Sequence, residues 1–311
     1  MKIVITGSAG FIGGELVKKM NQLGYEDIIM IDHPDLLRTK DDVFSDFIDY
    51  NELLTPKDFS FLDKADFCFH LGANSSTRAS FKEVYHQNIK FSRNLIDECV
   101  RRNIPVVFAS SGAIYGSNRE KNAEPNPLTF YGQSKLITEK HITSSKYKNV
   151  VCLRYHNVYG PSEHHKGNMS SIISKWMMSY FSGINDNLLF EGSDAILRDF
   201  VHVDDINKIN LMFLDYYKQK NKLPDQLIYD VGTGDAVSFQ QVADEIIKHT
   251  NGKINYVPNP YNESNYQFFT KADNAAISEI FKETYHSEIK SISIQAGVEA
   301  VFKSIKENQE K

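Results

Sequence analysis

The chain predicts an α/β protein, a Rossmann-type doubly wound parallel sheet with a smaller mixed α/β portion beside it. Three observations carry this. Short β-branched runs alternate with helix-spaced segments through the first half of the 311 residues, as in consecutive βαβ units. The strand runs are apolar along their length rather than alternating, as strands covered on both faces are. The first run ends in a glycine-rich turn that opens a helix.

The elements follow in order. "KIVIT" (2–6) reads as a fully buried strand. "FIGGELVKKMNQLG" (11–24) sets Phe11, Ile12, Leu16, Met20 and Leu23 at helical spacing and stops at a glycine. "DIIMID" (27–32) and "ADFCFHLGA" (65–73) are the next strands, followed by a helix near 82–102. "PVVFAS" (105–110) is a strand, "YGQSKLITEKHITSSK" (131–146) a helix, and "VVCLRY" (150–155) a strand. A helix over 169–182, the strand-like "IYDVG" (228–232) and a helix over 238–249 come next. The tail from 253 holds one short strand, an aromatic loop and two helices. No repeat, linker or low-complexity tract interrupts the chain, so a second domain would pack closely on the first.

Composition narrows the function. The apolar fraction is 41%, and 35 basic residues face 40 acidic ones for a formal charge of -5. No basic block suggests a nucleic-acid surface. No run of eighteen apolar residues suggests a membrane span. "MKIVITGSAG" turns into glycine too early for a signal peptide. Cys68, Cys99 and Cys152 are odd in number, far apart and set in apolar runs. They read as buried free thiols of a reducing compartment, which implies a cytoplasmic protein. His156 with the adjacent His164 and His165 makes a poor metal set, because neighbouring histidines rarely face one ion. No metal is expected.

"TGSAGFIG" gives Gly7-x-x-Gly10-x-x-Gly13 directly after the first strand. Gly7 permits a tight turn, Gly10 a close backbone approach, and Gly13 close packing of helix on sheet, so that helix amides face a pyrophosphate. Asp32 ends the second strand nineteen residues after Gly13. That context makes the loop a dinucleotide site. Asp32 would accept from the adenosine ribose and repel a 2′-phosphate, which points to NAD; Arg38 and Lys40 could neutralise that phosphate. The residues leave NAD and NADP both open.

"FASSGAIYG" (108–116) breaks from strand into a small-residue loop, and "YGQSK" supplies Tyr131 and Lys135 four apart on one helix face. A YxxxK pair is common by chance. Behind a dinucleotide loop it reads as catalytic: Lys135 and a nicotinamide cation would lower the Tyr131 phenol toward neutrality, and Ser111 would bond the same sugar oxygen.

TGxxGxxG, "HLGA", "SSGAIYG", YxxxK, "RYHNVYGP" and "RDFVHVDD" together resemble the extended short-chain dehydrogenase/reductase superfamily of nucleotide-sugar epimerases and dehydratases, over nearly the whole chain. "NVYGPSEHHKGNMSS", "LFEGSDAILRDF" and "NYQFFTKAD" narrow the resemblance to the ADP-L-glycero-D-manno-heptose 6-epimerases of lipopolysaccharide core synthesis. That resemblance implies oxidation at C6 of the heptose, reorientation of the ketone, and hydride return to its other face. Such a reaction needs two acid/bases, Tyr131 and the Lys166 of "HKG"; a bland loop charge or phosphate contact is the alternative for Lys166. It implies cofactor contacts at Gly7, Gly10, Phe11, Ile12, Gly13, Asp32, His33, Arg38, Leu71, Gly72, Ala73, Asn74, Ser75, Asn88, Tyr131, Lys135, Val158 and Lys166. Substrate contacts are implied at Asn157, Asn168, Lys175, Phe190, Glu191, Gly192, Ser193, Arg198 and Tyr266. The implied domains are 1–157 plus 199–235 for NAD(P) and 158–198 plus 236–311 for the sugar nucleotide. The expected partners are a nucleotide-diphosphate sugar and further copies of the chain in a homo-oligomer.

Three positions depart from the family pattern. Asn168 stands for the usual serine, Lys175 for a histidine, and Thr39 for a lysine that would hold the 2′-phosphate of NADP. The family tips the expected cofactor to NADP, while Asp32 and Thr39 favour NAD. Among rival activities, a 4,6-dehydratase wants an Asp-Glu pair where Gly112 and Ala113 follow Ser111. A 4-epimerase or reductase has no need of "HKG", and a non-catalytic NADP sensor has no need of both Tyr131 and Lys135.

Overall fold

The computed structural model describes residues 1–37, 46–53, 58–118, 124–184 and 186–309. Seven parallel strands form the central sheet: β1 (Ile3–Thr6), β2 (Ile28–Asp32), β3 (Asp46–Asp49), β4 (Phe67–His70), β5 (Val106–Ser111), β6 (Val150–Tyr155) and, later in the chain, β11 (Ile228–Val231). Their order is β11-β6-β5-β4-β1-β2-β3. The direction of winding reverses between β1 and β4, and a crevice opens at such a switch point beyond the strand ends.

Alternate residues of these strands feed two cores. Ile3, Ile5, Phe67, Phe69, Val107 and Val151 face α1 (Phe11–Gln22), with α6 (Val203–Lys220) and α8 (Ala275–Tyr285) on the same side. Val4, Ile29, Cys68, Val106, Phe108 and Val150 face α3 (Ser92–Arg101) and α4 (Phe130–Ser144). Burial on both faces explains why the strands read as continuous apolar runs; each fully buried aliphatic side chain contributes about 1.5–3 kcal/mol. Cys68, Cys99 and Cys152 are all buried and free.

A third core is built by Ile173, Trp176, Val242, Ile246, Val298 and Val301 from α5 (Ile172–Phe181), α7 (Phe239–Thr250) and α9 (Ile294–Gln309). Three small pairings surround it. β7 (Asn157–Tyr159) pairs in parallel with β10 (Phe200–His202), β8 (Asp186–Phe190) in parallel with β13 (Lys253–Val257), and β9 (Leu197–Arg198) antiparallel with β12 (Val237–Ser238). Asp199, fully buried beside β9, accepts from Thr233 N at 2.8 Å, Gly234 N at 2.9 Å and Ala272 N at 3.0 Å.

Several elements differ from the sequence reading. The edge strand β3 was not expected, since its four residues "DFID" carry two acids and short charged strands belong at sheet edges. α6, with 18 residues, was also missed; the buried polar residues Asp205, Asn207 and Asn210 interrupt its apolar stripe. The helix over 169–182 starts later, because the Ser171 side chain caps it by accepting from Ser174 N. Residues Glu163–Met169 instead wind into 3-10 turns broken at Gly167, φ 51°. The helix near 82–102 is α2 (Phe81–Val84), a π-helical turn (Tyr85–Phe91) and α3 in succession. Among the described residues no helix is long and apolar enough to cross a membrane.

Candidate active site

The glycine turn is shaped by space. Gly7 sits at φ +71°, and a Cβ there would lie 2.7 Å from the Gly72 backbone after β4. A Cβ on Gly13 would lie 2.1 Å from the Gly7 carbonyl oxygen. The turn and α1 can approach only as glycines. Gly10 is the N-cap of α1 and no side chain caps it, which leaves the first turn of amides for an anion. Behind the turn, Thr6 Oγ1 lies 2.6 Å from His70 Nδ1, and Gly72 N donates to Thr6 at 3.0 Å. Burial pulls the His70 imidazole down to about 3, so the ring stays neutral.

Asp32 closes one side of this cradle. Its carboxylate accepts from Ala9 N at 2.9 Å and His33 N at 2.8 Å. Burial pushes its pKa up, against those amides. A cavity of about 920 Å³ runs from here, lined by Gly7, Gly10 to Gly13, Asp32, His33 and Leu71 to Ser75. Such a volume is of the size of a cofactor or substrate pocket. Cradle, free helix start and carboxylate together fit a dinucleotide. Arg38, Thr39 and Lys40 lie outside the described residues. Asn88 does not reach the wall. It accepts from Asn74 N at 2.8 Å, and its amide donates to Asn74 O and Ser134 Oγ, holding the loop after β4 in place.

Tyr131, Lys135 and Ser111 line the same cavity. Thr129 caps α4 by accepting from Gly132 N at 3.1 Å, which fixes the turn that presents Tyr131. Lys135 Nζ donates to Ala109 O at 2.6 Å and sits 5.9 Å from the Tyr131 ring centre. Burial pulls the Lys135 amine down to about 7. The Tyr131 phenol is pushed up by burial, and its hydrogen bond with Ser111 opposes the rise. Within the protein alone desolvation sets this direction; the lowering expected from the sequence requires the charge of a bound nicotinamide cation as well.

The stretch after β7 closes the cavity. Glu163, His165, Lys166, Asn157, Val158 and Lys175 all line it. Lys166 Nζ donates to Glu163 Oε1 at 2.8 Å and stands 5.1 Å from the centre of the Phe11 ring at the start of α1. Burial pulls the Lys175 amine down; Lys166 and Arg78 add to this and Glu163 opposes it. The Asn168 side chain lies outside the described residues.

The other residues expected to hold substrate form a separate group off this wall. Arg198 is buried, with its guanidinium 5.1 Å from the Tyr266 ring centre. Tyr266 stacks on Tyr261 at 4.8 Å, which in turn meets the edge of Phe190 at 5.6 Å. Burial pulls the Arg198 guanidinium down, with Tyr266 opposing. Glu191 and Gly192 follow Phe190, and Ser193 Oγ donates to Gln240 Oε1 at 3.1 Å. Next to Arg198, the Asp199 carboxylate accepts from the backbone of 233, 234 and 272 and from the Thr233 hydroxyl.

The sequence does not single out Glu163 or Trp176 and offers His156 only as a poor metal ligand, yet all three line the cavity. His156 is buried, with its Nε2 3.9 Å from Asp230 Oδ1, whose carboxyl it helps hold down. For Glu163 a signal existed, since it stands three residues before Lys166, the spacing of a helical ion pair.

A Rossmann sheet with a glycine cradle at its switch point and a tyrosine–lysine pair on the neighbouring helix defines a dinucleotide-using enzyme. The profile of the NAD dependent epimerase/dehydratase family matches residues 3–232, and the chain belongs to that family. Solved structures of the same fold include the ADP-L-glycero-D-manno-heptose-6-epimerase of Helicobacter pylori, at 24% identity and TM-score 0.78 over 98% of this chain and 96% of that one. The UDP-N-acetylglucosamine 4-epimerase of Methanobrevibacter ruminantium M1 matches at 21% identity and TM-score 0.82, over 99% and 98% of the two chains. A UDP-glucuronic acid 4-epimerase variant of Bacillus cereus, solved with a fluorinated UDP-sugar and NAD, matches at 22% and 0.81, over 99% and 100%.

Proposed function

We propose that the protein is an isomerase, a nucleotide-sugar epimerase that inverts C6 of an ADP-glycero-manno-heptose by oxidation and re-reduction. The observation that carries this reading is Lys166, an amine on the wall of the cavity that also holds Tyr131. Inversion of a carbinol through its ketone needs proton handling on two faces of one carbon, and a second acid/base answers that need. When bound, the dinucleotide accepts a hydride from the sugar carbon and returns it. Tyr131 takes the hydroxyl proton on one face, with Ser111 bonding the same oxygen. Lys166 gives a proton to the oxygen on the other face. Tyr131 ends one proton richer and Lys166 one poorer, and both recover by exchange with water in the cavity. Asn157 and Lys175 hold the sugar, and Arg198, Tyr266 and residues 190–193 hold the nucleotide and its diphosphate, where a guanidinium fork suits phosphate oxygens.

The proposed domains are 1–157 plus 199–235 for the cofactor and 158–198 plus 236–311 for the sugar nucleotide. We place the enzyme in the cytoplasm as a homo-oligomer, within lipopolysaccharide core synthesis; three buried free thiols support the reducing compartment.

Heavy water tests the mechanism. Hydride that leaves C6 and returns to C6 never exchanges with solvent, so epimerisation in D2O leaves no deuterium at the inverted carbon. Deuterium there would mean inversion by enolisation toward a carbonyl formed on a carbon next to C6, and the C6 mechanism would be wrong even with the right product. Turnover of ADP-heptose, GDP-heptose and UDP-galactose in parallel identifies the substrate.

Asp32 is the proposed reader of the adenosine ribose, and its carboxylate supports NAD over NADP. Asp32→Ala is expected to weaken NAD by about 1.5–3 kcal/mol, roughly 10- to 150-fold in Kd, and to improve NADP. Arg38→Ala selectively weakens NADP if Arg38 offsets the 2′-phosphate. Titration of both dinucleotides against both variants decides it: equal losses throughout would show that neither residue reads the 2′-position.

A further inference from the structure

The Glu163 carboxylate is wholly out of solvent, yet it lies in a loop that reads as polar surface. A buried carboxylate needs partners, and this one has four. Oε1 accepts from Ser171 N at 2.8 Å and from Lys166 Nζ at 2.8 Å. Oε2 accepts from Ser171 Oγ at 2.7 Å and Ser174 Oγ at 2.8 Å. Three of the four donors belong to the first turn of α5, where the helix dipole also favours an anion. The fourth is the amine of Lys166, the side chain of the pair that remains 25% exposed.

The anchoring is therefore lopsided. α5 grips the carboxylate from one side, and the carboxylate grips the lysine from the other. Gly167 at φ +51° breaks the turn straight after Lys166, so the backbone does little to aim the amine. The Phe11 ring of α1 is its second neighbour, 5.1 Å away. Lys175 on α5 interacts electrostatically with Lys166, Glu163 and Arg78, and His165, Tyr131 and Lys135 line the same cavity.

We propose that Glu163 is the positioning residue of the second acid/base, a rigid carboxylate that aims the Lys166 amine into the cavity. The inference rests on the two-base reading given above. Removing the charge of the carboxylate while keeping its shape breaks the ion pair and loosens the aim.

The test uses Glu163→Gln in the full-length protein as purified, with two readouts. The first is the rate at which acetic anhydride acylates Lys166 at one fixed pH, read by mass spectrometry of its peptide; an amine released from the carboxylate is expected to react several-fold faster. The second is steady-state epimerisation, where kcat is expected to fall about tenfold with KM unchanged, as for a misplaced reacting group. A role confined to capping α5 would lower the melting temperature and leave the acylation rate where it was, and that result overturns the proposal. Should the glutamine variant not fold, Glu163→Asp keeps the charge one methylene further back; a smaller gain in acylation rate supports the proposal, and an unmoved rate overturns it. Lys166→Met separates the two claims. Full epimerisation by that variant would end the two-base reading, whereas an unmoved acylation rate in Glu163→Gln beside an inactive Lys166→Met would end only this one.

Discussion

Tyr131→Phe is expected to abolish epimerisation, with a loss of roughly 10²–10⁴-fold in kcat, the range for one positioned acid/base. Phenylalanine keeps the ring that sits 5.9 Å from Lys135 Nζ and removes only the hydroxyl that bonds Ser111. Folding and dinucleotide binding should therefore survive, and the loss should appear in kcat. The variant should still exchange hydride with one epimer of the sugar, the one whose hydroxyl faces Lys166. Lys166→Met should show the mirror image, with the other epimer as its surviving partner. Rapid mixing of each variant with each epimer, following the nicotinamide absorbance, reads this out. If Lys166→Met raised KM equally for both epimers and left kcat intact, Lys166 would be a binding residue, and its ion pair with Glu163 merely structural.

Gly13→Ala should be as damaging for a different reason. Its new Cβ would lie 2.1 Å from the Gly7 carbonyl oxygen, so either α1 or the turn must move. Overpacking of this kind costs about 1–3 kcal/mol of stability. The larger loss falls on the cofactor, because the amides are aimed by that close approach; roughly 100-fold or more in dinucleotide affinity is expected for an ångström of misplacement. Gly14→Ala is the control one residue along. Its Cβ meets only the Ser8 carbonyl oxygen, at 3.4 Å, and alanine in a helix gains about 0.5–1 kcal/mol over glycine. It should bind dinucleotide normally and melt no lower than the parent. Equal behaviour of the two variants would remove the steric argument for the cradle.

The features legible in the sequence are those set by local rules. Strands β1, β2, β4, β5 and β6 announce themselves because both their faces are covered, and the glycine turn because three backbone approaches each exclude a side chain. Tyr131 and Lys135 are legible through helical spacing. What stays hidden depends on contacts distant in the chain. β3 is a strand only because β2 offers it an edge. α6 hides because Asn210 turns inward to accept from the Tyr155 hydroxyl at 2.7 Å. Glu163 looks like a solvated loop charge until residues eight and eleven positions later supply its donors. The upward push of burial on the Tyr131 phenol is hidden as well, because local sequence does not report burial.

Asp199 bears on how such an enzyme can be taken apart. One carboxylate clasps the backbone at Thr233, Gly234 and Ala272, and a Cβ on Gly232 would come within 2.6 Å of it. The two proposed domains are thus interleaved through a single buried charge, with no seam at which the chain could be cut cleanly. A hybrid that borrows the sugar-binding part of one relative and the cofactor sheet of another would have to transplant the aspartate, the glycine turn after β11 and the stretch around Ala272 as one block. Any shorter graft leaves a buried carboxylate without its donors. Specificity in this architecture is more readily exchanged one residue at a time, at positions such as Lys175, than by trading whole modules.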